Sequence, residues 1–339
     1  MKKNLICYYF LSLFAFVLFA CTSSTTESSL NTEEEKIVLK PSPEFNADSS
    51  YAFIQKQVDF GARTPNSIPH QKCAEYLAKT LEKYGFETQT QKFDAKRYDG
   101  LVLKSSNIIG SFNPKATKRI LLAAHWDARA FNDKEQKDTT KYKAIDGAND
   151  GGSGVGILLE IARVLKNTDK KLDIGVDIIF FDSEDQGQPE GSKNQKTDTW
   201  CLGSQHWAKN KHKADYNAYY GILLDMVGAK NAKFYKEGTS LKYAGDLTEK
   251  FWKVAHKAGF GKYFIEKNSP AITDDHTYVN ELAKIPMLDI IQFDENNQES
   301  FFAPYHHTSN DNMAIIDKET LKAVGQSVLQ FLYQEEKNL

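Results

Sequence analysis

Apolar positions along the chain change rhythm twice. Between residues 70 and 85 they fall at Cys73, Tyr76, Leu77, Leu81 and Tyr84, with Lys and Glu between them. That spacing predicts an amphipathic helix stopped at Gly85. Glu87 to Phe93 then alternates as a half-buried strand does, and Leu101 to Ile109 is its expected neighbour. Four continuous apolar runs follow: Ile120–Ala124, Ile174–Phe181, Tyr220–Leu224 and Pro286–Phe293. Runs without alternation predict strands buried on both faces, as in a mostly parallel sheet covered by helices. Ser153–Leu165 (SGVGILLEIARVL) and Lys318–Tyr333 carry the spacing of such helices, and no repeat of solenoid length interrupts the pattern. The expected architecture is an α/β three-layer sandwich, a mostly parallel central sheet flanked by helices, forming one domain over residues 51–339.

The first fifty residues follow none of these rhythms. Lys2 and Lys3 precede an apolar run from Leu5 to Ala20, shorter than a membrane-spanning helix requires. The run ends Leu18-Phe19-Ala20-Cys21 and is followed by Thr22-Ser23-Ser24, which resembles a bacterial lipobox in which the Cys is acylated after cleavage. Residues 1–20 are therefore expected to be a signal peptide. Residues 21–50, rich in Ser, Thr and Glu, are expected to form a flexible tether after a lipidated Cys21. A plain signal peptide is the other reading, and either one exports the chain. The expected location is the periplasm, with membrane contact only through the lipid on Cys21.

Composition narrows the functional classes. The chain has 339 residues, 41% hydrophobic and 26% charged, which suits one large domain with a sizeable core. A formal net charge of −2 argues against nucleic acid as a partner. Four Cys, two of them within the first 21 residues, are too few for a disulfide scaffold. Cys73 and Cys201 are left as two thiols or one bridge, and spacing does not decide between them.

Candidate chemistry sits where the apolar runs end. Ile120–Ala124 runs into His125-Trp126-Asp127, Ile178–Phe181 into Asp182-Ser183-Glu184-Asp185, and Gly221–Leu224 into Asp225. Ligands of open α/β sheets bind beyond the carboxyl ends of the strands. A solvated loop explains any one of these endings, but poorly explains all three. A fourth contribution is Gly147-Ala148-Asn149-Asp150-Gly151-Gly152-Ser153-Gly154, just ahead of a helix. Asp150 or Ser153 as a plain helix cap would need no glycine cluster, so Asp150 is read as a metal ligand. A fifth is the polar loop Tyr305-His306-His307-Thr308-Ser309-Asn310-Asp311. Carboxylates and imidazoles, with no thiolate partner and no GxSxG elbow, suit a catalytic Zn²⁺ with an open position. Glu184 beside Asp185 adds a division of labour: one carboxylate binds metal while its neighbour stays free as a general base.

These motifs in this order resemble the zinc-dependent aminopeptidase superfamily and, within it, the bacterial glutaminyl cyclases (glutaminyl-peptide cyclotransferases). The resemblance runs from Gly61-Ala62-Arg63-Thr64-Pro65-Asn66-Ser67 to the C-terminal helix. It includes Leu224-Asp225-Met226-Val227-Gly228 and His307-Thr308, and, closer to the cyclases, Asp274-Asp275-His276 and Leu202-Gly203-Ser204-Gln205-His206-Trp207. It implies that Asp150, Asp185 and His307 bind one Zn²⁺ per chain and that Glu184 is the general acid/base. It further implies that Asp225 and Asp274 hold the substrate amine and a linked hydrogen-bond network. Trp200 is a candidate wall for the glutamine side chain, with a core aromatic as the other reading. The implied reaction cyclises the N-terminal glutamine of a peptide or protein to pyroglutamate and releases ammonia. The chain departs from its relatives at Asp185 (Glu in many of them), at His306 and Asp289 (Trp and His in the animal cyclases), and in an inserted loop, Gln186–Thr199. Two alternatives stay open. One is a two-zinc aminopeptidase, because His125 and Asp225 can join Asp150 around a second metal. The other is a non-catalytic binding module on the same fold, against which the intact ligands and Glu184 argue.

Overall fold

The alternating segment and its neighbour pair as an antiparallel hairpin, β1 (Glu87–Lys96) and β2 (Val102–Phe112), with Glu87 opposite Ser111 and Lys96 opposite Val102. The four continuous runs become the core of the central sheet: β3 (Arg119–His125), β4 (Gly175–Phe181), β5 (Tyr220–Asp225) and, after the short pair β6 (Phe234–Lys236) and β7 (Phe264–Asn268), β8 (Met287–Ile291). Sheet order is β1-β2-β4-β3-β5-β8. β3 is parallel to β4 and β5, and β5 to β8, while β2 joins β4 antiparallel. Every residue of β3, β4, β5 and β8 is buried, whereas β1 is mostly open to solvent. Two-sided burial is the physical reason why the central runs lack alternation and β1 keeps it.

The helices are α1 (Ala47–Val58), α2 (Ile68–Lys83), α3 (Gly152–Asn167), α4 (Leu202–Lys209), α5 (Gly238–Lys257), α6 (Asp275–Tyr278) and α7 (Lys318–Glu335). Alternate strand residues feed two separate apolar layers. Leu122, Ala124, Ile178 and Leu224 join side chains of α1, α2, α3, α5 and α7 on one face. Leu121, Ala123, Ile179 and Leu223 meet Trp207 of α4 and the turn at Val279–Ala283 on the other. The result is the expected three-layer α/β sandwich.

The computed structural model describes residues 38–135, 143–297 and 300–335, all within one compact unit. The proposed leader, the Cys21 lipobox and the first part of the tether lie outside the described residues. The end of the expected tether is corrected, because the ordered chain begins well before Tyr51. Lys40 N donates to Gln334 Oε1 (3.1 Å) and Ser42 Oγ to Gln330 Oε1 (2.9 Å), pinning residues 38–46 along α7. Phe45 is fully buried over Gly325, where an added Cβ would lie 2.3 Å from its ring. Asn46 then caps α1 by accepting from Ser49 N. A single aromatic in a polar stretch does not move the composition, yet it anchors the segment. Helix α5 was likewise not anticipated. Its buried Phe251, Trp252, Val254 and Ala255 crowd into the second half, beyond a kink at Ala244, and the first half is largely polar.

Candidate metal and catalytic centre

The carboxyl ends of β3, β4 and β5 converge with the N-terminus of α3 and the loop before α7. His125 Nε2 lies 2.9 Å from Asp150 Oδ1 and 3.1 Å from Asp225 Oδ1. His307 Nε2 lies 2.9 Å from Asp185 Oδ1 and 3.6 Å from Asp150 Oδ2. The two oxygens of Asp150 thus face two neighbouring donor groups. His125, Asp150 and Asp225 offer atoms that lie within 4.8 Å of one another, as do Asp150, His306 and His307. Asp185 enters through its contact with His307. The structure therefore gathers all three residues expected to hold zinc, together with both candidates for a second ion.

These groups fit a cation. Asp185 Oδ2 is buried without a hydrogen-bond partner, as are Nδ1 of His125 and of His307, and Asp185 Oδ1 has the His307 ring beside it at 2.9 Å. Buried polar atoms left so are costly unless something else satisfies them. Burial alone would lower the pKa of His125, but Asp127, Asp150 and Asp225 raise it well above the usual imidazole range. Burial likewise opposes charge on His307, and Asp185 and Asp133 outweigh it, lifting its pKa to about 9. Burial raises Asp185 to about 6 with Asp150 adding to the effect, and it raises Asp225 to about 7 with Asp274 and Asp150 adding to it. Such mutual adjustment marks an excess of negative charge that a divalent ion bound by carboxylate and imidazole would neutralise.

Local backbone explains how these side chains are aimed. Gly151, not Asp150 or Ser153, is the N-cap of α3, and no side chain caps the helix there. Ser153 Oγ instead donates to Asn149 O and accepts from Val227 N, so Asp150 is released to the site. Gly151 has φ 77°, and an added Cβ would sit 2.4 Å from Asp127 O and 2.9 Å from the His125 ring. Four non-glycine residues beside the site take left-handed backbone: Ser183, Cys201, Met226 and His307, with φ between 47° and 56°. Such backbone is uncommon for non-glycine residues and collects at functional sites.

Several residues, most of them quoted in the motifs without a role, turn out to position the site. Asp127 accepts from Glu184 N (3.0 Å), Asp185 N (3.3 Å) and Gln186 Nε2 (3.0 Å), and so fixes the acidic loop after β4. Asp311 does the same for the Asp150 loop, accepting from Asn149 N (2.7 Å) and Asp150 N (3.0 Å). Asp182, delivered by its strand to the same edge, turns inward and is pinned by His70 at 2.9 Å, whose ring stacks on Trp126. Arg129 is buried and holds Asp133 at 2.6 Å and the carbonyl oxygens of Asp185 and Gly187. Backbone donors and carbonyls are the partners in most of these contacts, so residue spacing carries no trace of them.

A cavity of about 450 Å³ opens over this cluster, lined by Asp150, Glu184, Asp185, Asp225, Asp274 and His307 among others. Trp200, Phe301, Phe302, Ile272 and Ile291 supply apolar wall. Trp200 meets both of its readings: it lines the cavity and is also packed, between the His307 ring (5.7 Å, near-parallel) and the Arg129 guanidinium (4.5 Å). Gly187 makes room for it, since a Cβ there would lie 2.0 Å from the indole. The inserted loop is ordered. Thr199 Oγ1 accepts from Gln188 N, Gln188 Oε1 accepts from Lys196 N, and Glu190 reaches the cavity rim with Lys134 (2.6 Å). Glu184 faces the cavity from the β4 end. Burial raises its pKa well above the usual carboxyl range; His125 opposes the shift, and Asp274, Asp185 and Asp275 reinforce it. Asp289, fully buried, is raised for the same first reason, with Asp274 and Asp225 adding to it. His306, in contrast, is driven well below the usual imidazole range by burial and by His307. Cys73 and Cys201 are both buried free thiols, which answers the question spacing left open.

Comparison with known proteins agrees with this arrangement. The family model for peptidase family M28 matches residues 107–332, and the chain belongs to that family. Among solved structures, Tannerella forsythia glutaminyl cyclase is 52% identical with a TM-score of 0.83. A Zn-dependent exopeptidase from Parabacteroides distasonis is 50% identical with a TM-score of 0.84. Each match covers 86% of this chain and 99% of the other. Aminopeptidase YwaD of Bacillus subtilis is 28% identical over 237 residues, 68% of this chain, and this chain spans 44% of that protein's length.

Proposed function

We propose that the protein is a zinc-dependent glutaminyl-peptide cyclotransferase acting on peptides or proteins with an N-terminal glutamine. The observation that carries this reading is the pairing of Glu184 with a buried acid, Asp274, in the wall of the cavity that His307 and Asp185 also line. The 52% identity to a protein described as a glutaminyl cyclase, over nearly all of that protein, supports it.

Asp150, Asp185 and His307 would hold one zinc ion. When bound, zinc supplies Lewis-acid polarisation of the γ-carbonyl and stabilises negative charge on its oxygen. Asp225 and Asp274 receive the α-ammonium, to which two buried carboxyl groups are complementary. Glu184 takes a proton from that ammonium as the nitrogen turns toward the γ-carbon, then gives it to the departing ammonia. Nucleophile and electrophile belong to one residue, so proximity comes from the substrate and the site needs only to fold it. Apolar wall from Trp200, Phe301 and Phe302 keeps water from competing. In this reading His125 and Asp225, 3.1 Å apart, bind no second ion. The aminopeptidase reading needs those two residues as ligands instead. A coupled assay separates the readings: a glutamine-initiated peptide is expected to release one equivalent of ammonia, and the same peptide acetylated at its N-terminus none. Leucine released from a leucine-initiated peptide at a comparable rate would favour the peptidase.

We further propose that the mature chain is a periplasmic lipoprotein, on the strength of the Leu18–Cys21 box. One acyl chain holds a protein to membrane only weakly, and a lipoprotein carries more than one. Cys21→Ser is expected to move the protein from the membrane to the soluble fraction, and unchanged membrane association would refute the lipid anchor.

A further inference from the structure

Behind Glu184 lies a donor set that the cyclisation does not use as ligands. Cys201 Sγ donates to Glu184 Oε1 at 3.1 Å, while Cys201 N donates to Glu184 O at 2.9 Å. One atom each from Glu184, Cys201 and Asp274 lies within 4.8 Å of the other two. Asp274 Oδ1 is engaged by Asp275 N, but Asp274 Oδ2 is buried without a hydrogen-bond partner, in a residue only 4% exposed. Cys201 is held on left-handed backbone at φ 56°, a conformation unfavourable for an L-residue. Two neighbours fix it there: Gln205 N donates to its carbonyl at 3.0 Å, and Ser204 Oγ donates to the same oxygen at 3.1 Å. Glu184 and Asp274 line the cavity, so an ion entering from it meets two carboxylates, with the Cys201 sulfur 3.1 Å from the first.

We propose that Glu184, Cys201 and Asp274 form a second, inhibitory site for a soft divalent cation of the Zn²⁺ or Cd²⁺ class. The site shares no residue with the Asp150, Asp185 and His307 set. A thiolate flanked by two carboxylates selects such ions over Mg²⁺ or Ca²⁺, which take oxygen ligands. On binding, the S–H bond of Cys201 breaks, the sulfur forms a bond to the cation, and the proton leaves to solvent. The hydrogen bond from the thiol to Glu184 is lost in the same step, and the Glu184 carboxylate becomes a ligand instead of a proton carrier.

The test uses the full-length, zinc-loaded protein titrated with Cd²⁺ and read by the ultraviolet charge-transfer band of a cadmium thiolate, with bound cadmium measured after free ion is removed. Wild type and Cys73→Ser are each expected to bind one more Cd²⁺ than Cys201→Ser, with a correspondingly stronger band. Subtracting the variant from wild type removes any contribution from Cys7 and Cys21. The activity arm rests on the cyclase reading, and the absorbance arm does not, so their failures are distinguishable. Saturating Cd²⁺ is expected to lower cyclisation at least about 100-fold, the lower end of a general acid/base contribution. Relative to its own cation-free rate, Cys201→Ser should need at least about tenfold more Cd²⁺ for equal inhibition, having lost the soft ligand. Absence of the thiolate band in wild type overturns the proposal even if Cys201→Ser fails to fold, and so does a band that survives that substitution undiminished.

Discussion

Glu184→Gln is expected to lower kcat for cyclisation by about 10²–10⁴-fold while zinc content stays at the wild-type level. The substitution keeps the shape and one acceptor oxygen of the side chain but removes the group that carries the proton. Zinc stays because the Glu184 carboxylate is turned to Cys201 at 3.1 Å, whereas His307 meets Asp185 and Asp150. The main chain of the loop is held separately, through Asp127 accepting from Glu184 N and Asp185 N, so it remains in place. Steady-state kinetics beside metal analysis checks both halves. Loss of zinc together with activity would make Glu184 a ligand and leave the reaction without an identified proton carrier.

The second large effect separates the metal ligands from the amine site. Asp185→Ala and His307→Ala are each expected to lose zinc, since either leaves only two of the three protein ligands that a catalytic zinc site uses. Asp225→Asn is expected to keep one zinc per chain while activity collapses, because its carboxyl contacts His125 and lines the cavity, where it is proposed to receive the substrate amine. If His125 and Asp225 instead hold a second ion, wild type will contain two per chain and Asp225→Asn will fall toward one. Metal analysis of the three variants and wild type decides between these outcomes.

Much of this arrangement was legible before any coordinates. Strands β3, β4, β5 and β8 show in the sequence because burial on both faces forces continuous apolar runs, and the polar residues ending three of them stand out against that background. His125, Asp185 and Asp225 were found by that contrast, Asp150 by the glycine cluster around it and His307 through the family resemblance, and the structure draws them to one edge. What stayed hidden depends on partners far along the chain. Phe45 is a single aromatic whose burial depends on Gly325. Asp127 and Asp311 act on backbone N–H groups, which every residue but proline carries, and Arg129 grips carbonyl oxygens. Asp182 shows the opposite error that spacing invites: it looks like its neighbours Glu184 and Asp185, but bonds to His70 in the interior.

The central claim is that this site closes a ring within one residue rather than cutting a peptide bond, and mass spectrometry of a single incubation tests it most directly. A glutamine-initiated peptide treated with the zinc-loaded protein is expected to lose the mass of one ammonia and become resistant to removal of its first residue. A product lighter by the whole glutamine residue, with the ammonia-loss species absent, would contradict the cyclase and establish the aminopeptidase in its place.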